Sequence, residues 1–381
     1  QEKLITGMTN KGYSADFANR IFKQLEGFGS YGFPESHAAS FALLVYVSSW
    51  LKCYYPDVFA AALLNSMPMG FYQPAQVVID ARNHGVEVRS IDVNYSNWDN
   101  TLEERSGNYR ALRLGFRQIK GIREEDIQVL VEAREHHYTS LPALRNAGVS
   151  LAALEKLADA DAFRSLGMDR RKALWEVSAL TDMPIGLFEG QEQKPEAEGQ
   201  IALPFMSQAE HVVHDYATTA LSLKAHPLSF VRDQLRALNI RSSKELADLR
   251  DGALVKVAGL VLVRQRPGTA GGVCFITIED ETGFSNLVIF QGLFETYRKE
   301  ILGAKLLMVE GKLQREGAVT HVVVRRCFDL TKLLQLNKIE ESNKLSQDTP
   351  VEGNTFPAKN KRSQIRQDGA PIVFPNARNF K

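Results

Sequence analysis

Cysteine is scarce in this 381-residue chain, which contains three. They lie far apart, at Cys53, Cys274 and Cys327. The sequence has no Cys-x-x-Cys pair, which argues against a zinc ribbon, and the odd, scattered set argues against a disulfide framework. This use of cysteine is typical of a reducing cytosol, so we expect a cytoplasmic protein.

Long apolar runs are also missing. The longest, residues 38–51, is interrupted by serines. It is shorter than the ~20 residues that span a bilayer, so it predicts a buried core helix and no membrane partner. No signal peptide follows the polar residue Gln1. Because the sequence starts inside a helical pattern and without a methionine, we expect a fragment with chemistry upstream of Gln1.

An excess of charge of one sign is absent as well. The 46 Lys and Arg residues are balanced by 45 Asp and Glu residues, for a formal net charge of +1. This balance excludes a uniformly basic nucleic-acid-binding protein and an acidic disordered one. Any contact with nucleic acid must therefore come from local patches. At roughly 100–200 residues per domain, the length predicts two or three domains.

Common catalytic motifs are missing too. The sequence has no phosphate-binding P-loop, no Gly-x-Ser-x-Gly and no dinucleotide-binding fingerprint. Asp159 and Asp161 have a metal-binding spacing, but no predicted strand presents both carboxylates, so we expect a solvated turn. His211 and His214 share a helix face without a nearby third ligand, which disfavours zinc. We predict no catalytic residue and no metal site in this chain.

The patterns that are present divide the chain into five segments. Residues 1–72 are predicted to be helical, 73–182 to form short helices separated by glycine turns, and 183–244 to be a linker with a helical segment. Residues 245–332 alternate like five strands with a helix between the third and fourth, which is the order of an OB-fold β-barrel. Residues 333–381 predict a mostly disordered basic tail. Its basic residues include Lys359, Lys361, Arg362 and Arg366. The fold class is multidomain α plus β.

Gly121 lies where a helix-hairpin-helix motif requires glycine. A first helix through Leu112 and Ile119 and a second from residue 124 would flank it. Such a hairpin offers backbone N–H groups to a phosphate of nucleic acid without reading its sequence. Lys120 and Arg123 would add positive charge. An ordinary helical hairpin with a glycine turn remains the alternative.

A second unit of this type is predicted at residues 162–167. It is followed by a basic run, Arg170, Arg171 and Lys172. Taken alone, this run is better explained as a solvated helix start. Two such units in tandem instead favour a duplex-binding clamp, with these three side chains and those of the first hairpin as DNA ligands.

The OB-like segment has cations and aromatic rings suited to a single strand of DNA. Arg264 and Arg266 precede a glycine-rich loop, where we expect them to contact ligand. Phe275 and Phe284 are candidate stacking rings, whereas Phe290 is expected in the barrel core. Because OB-folds also bind proteins, the choice between DNA and protein stays open.

Residues 31–42 read Tyr-Gly-Phe-Pro-Glu-Ser-His-Ala-Ala-Ser-Phe-Ala. This segment resembles the Y-G-F-x-x-S-H-[AS]-A-x-[YF]-[AS] motif of bacterial C-family DNA polymerases. Residues 50–66, 80–88 and 119–122 are also similar to that family. The resemblance extends to about residue 332. It implies that residues 1–72 are the end of the polymerase fingers domain, followed by tandem helix-hairpin-helix motifs and the OB-fold.

Two branches of this family are considered. Residues 65–72, Asn-Ser-Met-Pro-Met-Gly-Phe-Tyr, resemble the N-S-Q-P-M-G-F-Y of the error-prone, damage-inducible branch, with Met67 in place of glutamine. Residues 377–380 resemble its S-R-D-F ending. We therefore favour the error-prone branch, which functions in DNA repair and translesion synthesis during DNA replication. The alternatives are the replicative alpha subunit and a stand-alone DNA-binding scaffold module.

The resemblance also implies cofactors and partners. The family's palm carboxylates, which bind Mg²⁺, have no counterpart here, so the polymerase activity belongs to the longer protein and the fragment alone is expected to be inactive. The implied partners are duplex primer-template DNA, accessory translesion proteins and a sliding clamp. Residues 200–205, Gln-Ile-Ala-Leu-Pro-Phe, nearly match a clamp-binding peptide. Pro204 puts the phenylalanine out of register, so we expect the clamp to be reached through a partner protein.

Overall fold

The computed structural model describes residues 1–31, 35–69, 73–180, 206–317, 319–334 and 378–380. Three predictions fall partly or wholly outside these ranges. They are residues 183–205 of the predicted linker with its clamp-like segment 200–205, almost all of the predicted tail with its four named cations, and the centre of the 31–42 motif.

The first part of the chain is helical, as predicted. Its helices are α1 (Glu2–Thr9), α2 (Ala15–Tyr31), α3 (Glu35–Tyr54) and α4 (Pro56–Asn65). Pro56 occupies the first turn of α4, where a missing backbone N–H costs nothing. The expected burial of residues 38–51 is wrong within the described structure. Leu43 and Tyr46, for example, are 66% and 70% exposed.

A small three-stranded sheet follows α5 (Pro74–Asn83). Its strands are β1 (Val88–Arg89), β2 (Thr101–Ser106) and β3 (Tyr109–Arg113), in the order β1-β3-β2. β2 and β3 form an antiparallel hairpin, and β1 lies parallel to β3. The predicted helix through Leu112 is therefore wrong, because Leu112 pairs with Val88 in the sheet.

Short helices then surround one apolar core. They are α6 (Glu124–Glu132), α7 (Leu141–Asn146), α8 (Leu151–Asp159) and α9 (Arg170–Ala179). Ser140, Ser150 and Asp169 cap α7, α8 and α9 through side-chain oxygens that accept backbone N–H groups. The core runs from Ala60 in α4 to Leu221, so α4, the sheet and the hairpins pack as one unit.

Two further helices precede the barrel, α10 (Gln208–Thr219) and α11 (Arg232–Ala237). α10 begins with a capping box, in which Ser207 and Glu210 satisfy each other's backbone N–H groups. A short 3₁₀ helix, Pro227–Val231, joins the two. Both helices lie within residues 183–244, the segment predicted to be a linker with a helical segment.

The OB-fold prediction is confirmed. The strands are β4 (Leu254–Gln265), β5 (Cys274–Asp280), β6 (Gly283–Ile289), β7 (Leu306–Glu316) and β8 (Val319–Asp329). Between β6 and β7 lie α12 (Gln291–Thr296) and α13 (Arg298–Gly303). The order β5-β6-β8-β7-β4, with β4 pairing back to β5, closes the barrel. Gly311 is needed in β7, because a Cβ there would lie 2.4 Å from the carbonyl oxygen of Val323.

A ninth strand was not expected. β9 (Arg378–Phe380) pairs in parallel with the end of β4, at Val263–Gln265. The prediction was a mostly disordered tail, and these three positions form a short strand within it. The remainder of that prediction, from residue 335 to 377, lies outside the described residues.

Candidate nucleic-acid interface

The first hairpin turn is built around Gly121. Its φ is +73°, in the left-handed region that favours glycine, and a Cβ there would meet only the Cε of Lys156, 4.0 Å away. Backbone conformation, and not lack of space, therefore requires glycine. The predicted first helix is only a 3₁₀ turn, Phe116–Gln118, whereas the second helix is α6.

Lys120 is exposed, but its polar groups bond to the protein. Its backbone N–H donates to the carbonyl of Thr218 at 2.8 Å, and its ammonium donates to the carbonyls of Tyr216 and Ala217 at 3.0 and 2.9 Å. Burial lowers the pKa of the Lys120 ammonium. These bonds satisfy carbonyl groups in the last turn of α10, so Lys120 has a structural role that does not require DNA.

Arg123 is the second exposed cation of the first hairpin. Its side chain is 74% exposed and lies 3.3 Å from the carboxylate of Asp126. However, the first turn of α6 also carries Glu124 and Glu125. Three carboxylates at this helix start oppose an incoming phosphate, so the first hairpin is poorly suited to bind one alone.

The second hairpin turn joins α8 to α9 through Gly167. Its φ is +70°, and no atom lies within 4 Å of a Cβ placed there. Asp169 then caps α9 by accepting the backbone N–H of Lys172 at 2.8 Å. The turn therefore presents open backbone beside the start of a helix.

Arg170 does not belong to the surface of this hairpin. Its side chain is fully buried, donates to the carbonyl of His211 at 3.0 Å and forms an ion pair with Asp215. Sequence reasoning placed this guanidinium on DNA. In the structure, protein acceptors hold the buried group, and its contact with DNA stays a prediction.

The neighbouring cations remain accessible. Lys172 is 57% exposed and lies 3.8 Å from Glu176, and Arg171 is 31% exposed and lies 3.5 Å from Glu210. Lys172 and Arg164 also line a cavity of about 450 Å³ at the turn. Its other lining residues are Gly167, Met168, Asp169, Met206 and His211. Arg164 lies in the predicted hairpin segment 162–167 but was not among the predicted DNA ligands.

A buried ion-pair cluster fixes this hairpin to α10. Asp161 accepts two bonds from Arg164, at 2.8 and 2.9 Å. Lys224 lies 3.1 Å from the carboxylates of both Asp161 and Asp215. Burial is the largest single influence on the pKa of the Asp161 carboxyl, and it acts to raise that pKa. Hydrogen bonding from Arg164 and the charge of Lys224 outweigh burial, so the pKa is lowered. The expected solvated turn is therefore wrong for Asp161, which is only 7% exposed.

α10 consequently contacts both hairpin turns. The first reaches its last turn through Lys120, and the second reaches its middle through Arg170 and Asp215. The helix thus fixes the spacing between the two glycine turns. From the sequence, this helix was predicted to be part of a linker. Its contact with the second hairpin was not predicted, because Arg170 and Asp215 are far apart in the chain.

On the barrel, Arg264 is also buried. It is 7% exposed, and its guanidinium donates to the carbonyls of Ile301 and Ala304, both at 2.6 Å, at the end of α13. Burial lowers the pKa of Arg264. In the structure the residue satisfies helix carbonyls, and its predicted contact with DNA stays a prediction.

Arg266 supports the loop that follows β4. Its guanidinium donates to the carbonyl of Gly272 at 3.2 Å and lies over the ring of Phe294, 4.5 Å from the centroid. Such a cation–π contact stabilises a partly buried arginine. The residue shapes the loop, and its contact with DNA stays a prediction.

Three phenylalanines are exposed on the second and third strands of the barrel or next to them. Phe275, Phe284 and Phe290 are 40%, 47% and 56% exposed. The core placement expected for Phe290 is wrong. Because Cys274, Ile276 and Ile278 point inward along β5, the alternation turns Phe275 outward. OB-folds bind oligonucleotides on this face, where rings can stack on bases.

No metal or membrane site is found in the described part of the chain. Within those ranges, His, Cys, Asp and Glu residues do not gather in groups of three or more that could hold a metal ion. Among the described helices, none has the length and apolar character to cross a membrane.

Two family models match the chain. The model described as helix-hairpin-helix motif covers residues 85–173, and the model described as OB-fold nucleic acid binding domain covers residues 255–330. Both agree with the elements above. The chain thus belongs to the class of nucleic-acid-binding proteins built from these two modules.

Curated relatives define the family more narrowly. An error-prone DNA polymerase of Sinorhizobium medicae (strain WSM419) is 49% identical over 89% of this chain and 33% of its own length. Error-prone DNA polymerase 1 of Rhizobium meliloti (strain 1021) is 46% identical over 100% of this chain and 38% of its own length. The chain belongs to the error-prone DNA polymerase family, and it spans about a third of the length of these relatives.

Solved structures align only locally. An asparaginyl-tRNA synthetase from Pyrococcus horikoshii is 24% identical and covers 24% of this chain and 23% of its own, with a TM-score of 0.21. That score is too low to bear on the fold.

Proposed function

We propose that this chain holds DNA for an error-prone DNA polymerase whose nucleotidyl-transfer site lies in the remaining length of the protein. The observation that carries the proposal is the second hairpin, where an open glycine turn stands beside the accessible cations Arg171 and Lys172. Similarity to error-prone DNA polymerases over almost the whole chain supports it.

Duplex primer-template DNA is the proposed ligand of the hairpins. A backbone phosphate would approach the Gly167 turn, with Lys172 and Arg171 supplying positive charge and Arg123 adding a contact at the first turn. Contacts of this kind hold DNA without reading its sequence. This suits a polymerase that must grip any duplex product.

Single-stranded DNA is the proposed ligand of the barrel. The exposed rings of Phe275, Phe284 and Phe290 support base stacking. Lys312 of β7, which pairs with Val323 of β8 on the same barrel, would supply positive charge for the DNA backbone. Docking of a protein on this face is the competing proposal. The two differ in salt dependence, because only nucleic acid binding releases many counterions.

The catalytic part of the protein would supply the magnesium chemistry. Mg²⁺ would be held by the palm carboxylates of the longer protein, as the resemblance to C-family DNA polymerases implies. The exposed apolar surface of α3, which includes Leu44 and Val45, supports packing against further protein. We further propose indirect recruitment to the sliding clamp through accessory translesion proteins, and action in the cytoplasm.

Primer extension tests the division of labour. The chain alone, with primed template, deoxynucleotides and Mg²⁺, should retard the DNA in a gel but add no nucleotide. Primer extension by the purified chain would contradict the proposal. Absence of retardation at low salt would contradict the DNA-holding role and would favour a scaffold that binds protein.

A further inference from the structure

One edge of β4 changes partner along its length. From Leu254 to Leu260 this edge pairs with β7, and the backbone N–H of Val261 donates to the carbonyl of Lys305 at 2.9 Å. β7 has no residues beyond that point, because the chain there leads back into α13. β4 nevertheless continues to Gln265, paired on its other edge with β5.

The C-terminal residues occupy the edge that β7 leaves free. Arg378, Asn379 and Phe380 pair in parallel with Val263, Arg264 and Gln265. A bare strand edge is a template for pairing with any extended chain. Recognition by strand addition draws its affinity mainly from backbone hydrogen bonds, so three paired residues are sufficient to define the register.

We propose that the end of β4 is a peptide-binding edge of the barrel, and that its ligand is the C-terminal segment of the same chain. The connecting residues 335–377 could span more than about 100 Å when extended, which is ample to reach from Leu334. Tethering on one chain gives the segment an effective concentration on the order of millimolar. Binding within one molecule is therefore favoured over exchange between two.

The position of this edge gives the segment a role at the ligand-binding end of the barrel. Gln265 directly precedes Arg266, which holds the 266–273 loop through Gly272. In OB-folds the loop after the first strand contacts the ligand. The bound C-terminal segment therefore fixes the starting point of that loop.

Hydrogen exchange on the full chain and on a chain ending at residue 377 tests the proposal. Removal of the last four residues should accelerate amide exchange at least tenfold in residues 263–273. Residues 254–260 should be unchanged, because β7 still pairs with them. A synthetic peptide of residues 374–381, added to the shortened chain, should restore protection.

Point variants and oligomeric state complete the test. Asn379→Pro removes a backbone donor and restricts φ, so it should act like the deletion, whereas Asn379→Ala should not. Unchanged exchange in both the deletion and the Asn379→Pro variant would overturn the proposal. Equal acceleration of residues 254–260 and 263–273 would also overturn it. A full-length chain that elutes as a dimer and becomes monomeric on deletion would overturn binding within one molecule.

Discussion

Glu279 gives the sharpest stability prediction. It lies on β5, paired with Phe284 of β6 on one side and Leu260 of β4 on the other, and it is 5% exposed. Burial, and secondarily the charge of Asp280, raises the pKa of the Glu279 carboxyl to about 7. Its ordinary value is 4.5. The folded chain thus keeps this proton over a pH range in which the unfolded chain releases it.

The sign and size of the effect follow from proton linkage. Below pH 4.5 both states hold the proton, and the residue costs nothing. Between about pH 4.5 and 7 the free energy of unfolding falls by up to ~1.4 kcal/mol per pH unit, because only the unfolded state ionises. Above pH 7 the loss reaches a plateau on the order of 3 kcal/mol.

Glu279→Gln removes this ionisation while keeping the shape of the side chain. We expect it to stabilise the chain by about 3 kcal/mol at pH 8 and by about 1 kcal/mol at pH 5. Urea unfolding followed by circular dichroism at both pH values measures the difference. The exposed Glu316 provides a matched control, since Glu316→Gln should change neither value. A gain that does not depend on pH, or a loss at pH 8, would refute the reasoning.

Two further predictions concern the cluster on α10 and the outer face of the barrel. Asp215→Asn leaves the buried guanidinium of Arg170 without its anionic partner, and we expect a loss of about 3–5 kcal/mol in thermal unfolding, whereas the exposed Asp233→Asn should have little effect. Unchanged stability of Asp215→Asn would contradict the structural role of the ion pair. Phe290→Ala should weaken oligonucleotide binding about fivefold or more, as measured by fluorescence anisotropy, because base stacking contributes roughly 1–3 kcal/mol per ring. Retained affinity would assign that face to protein docking.

The barrel was predictable because its strands alternate clearly. Inward and outward positions follow one another along β5, so sequence alone located the strands and the helical insert. Arg264 shows where that reasoning ends. The register of β4 against β5 shifts between Val261 and Val263, and Arg264 beyond the shift is turned towards the carbonyls of α13. A bulge of this kind leaves no mark in the alternation of apolar residues.

The hairpin of the small sheet, β2 and β3, escaped prediction for a different reason. β2 carries Glu103 and Glu104, which bond to Arg89 on β1, and Glu103 also bonds to Arg113 on β3. Charged side chains that satisfy one another across strands do not look like a strand in sequence. The burial of Arg170 was hidden similarly, because its partner Asp215 lies within the segment predicted to be a linker.

The direct test of the central claim is the salt dependence of duplex binding. Replacement of both Arg171 and Lys172 by alanine should weaken binding of the chain to duplexes of any sequence. It should also lower the slope of log affinity against log salt by up to about 0.9 for each DNA phosphate that the variant no longer neutralises. Arg298→Ala combined with Lys299→Ala removes the same charge from α13 and should leave the slope unchanged. Equal slopes in the two double variants would contradict the assignment of DNA binding to the second hairpin.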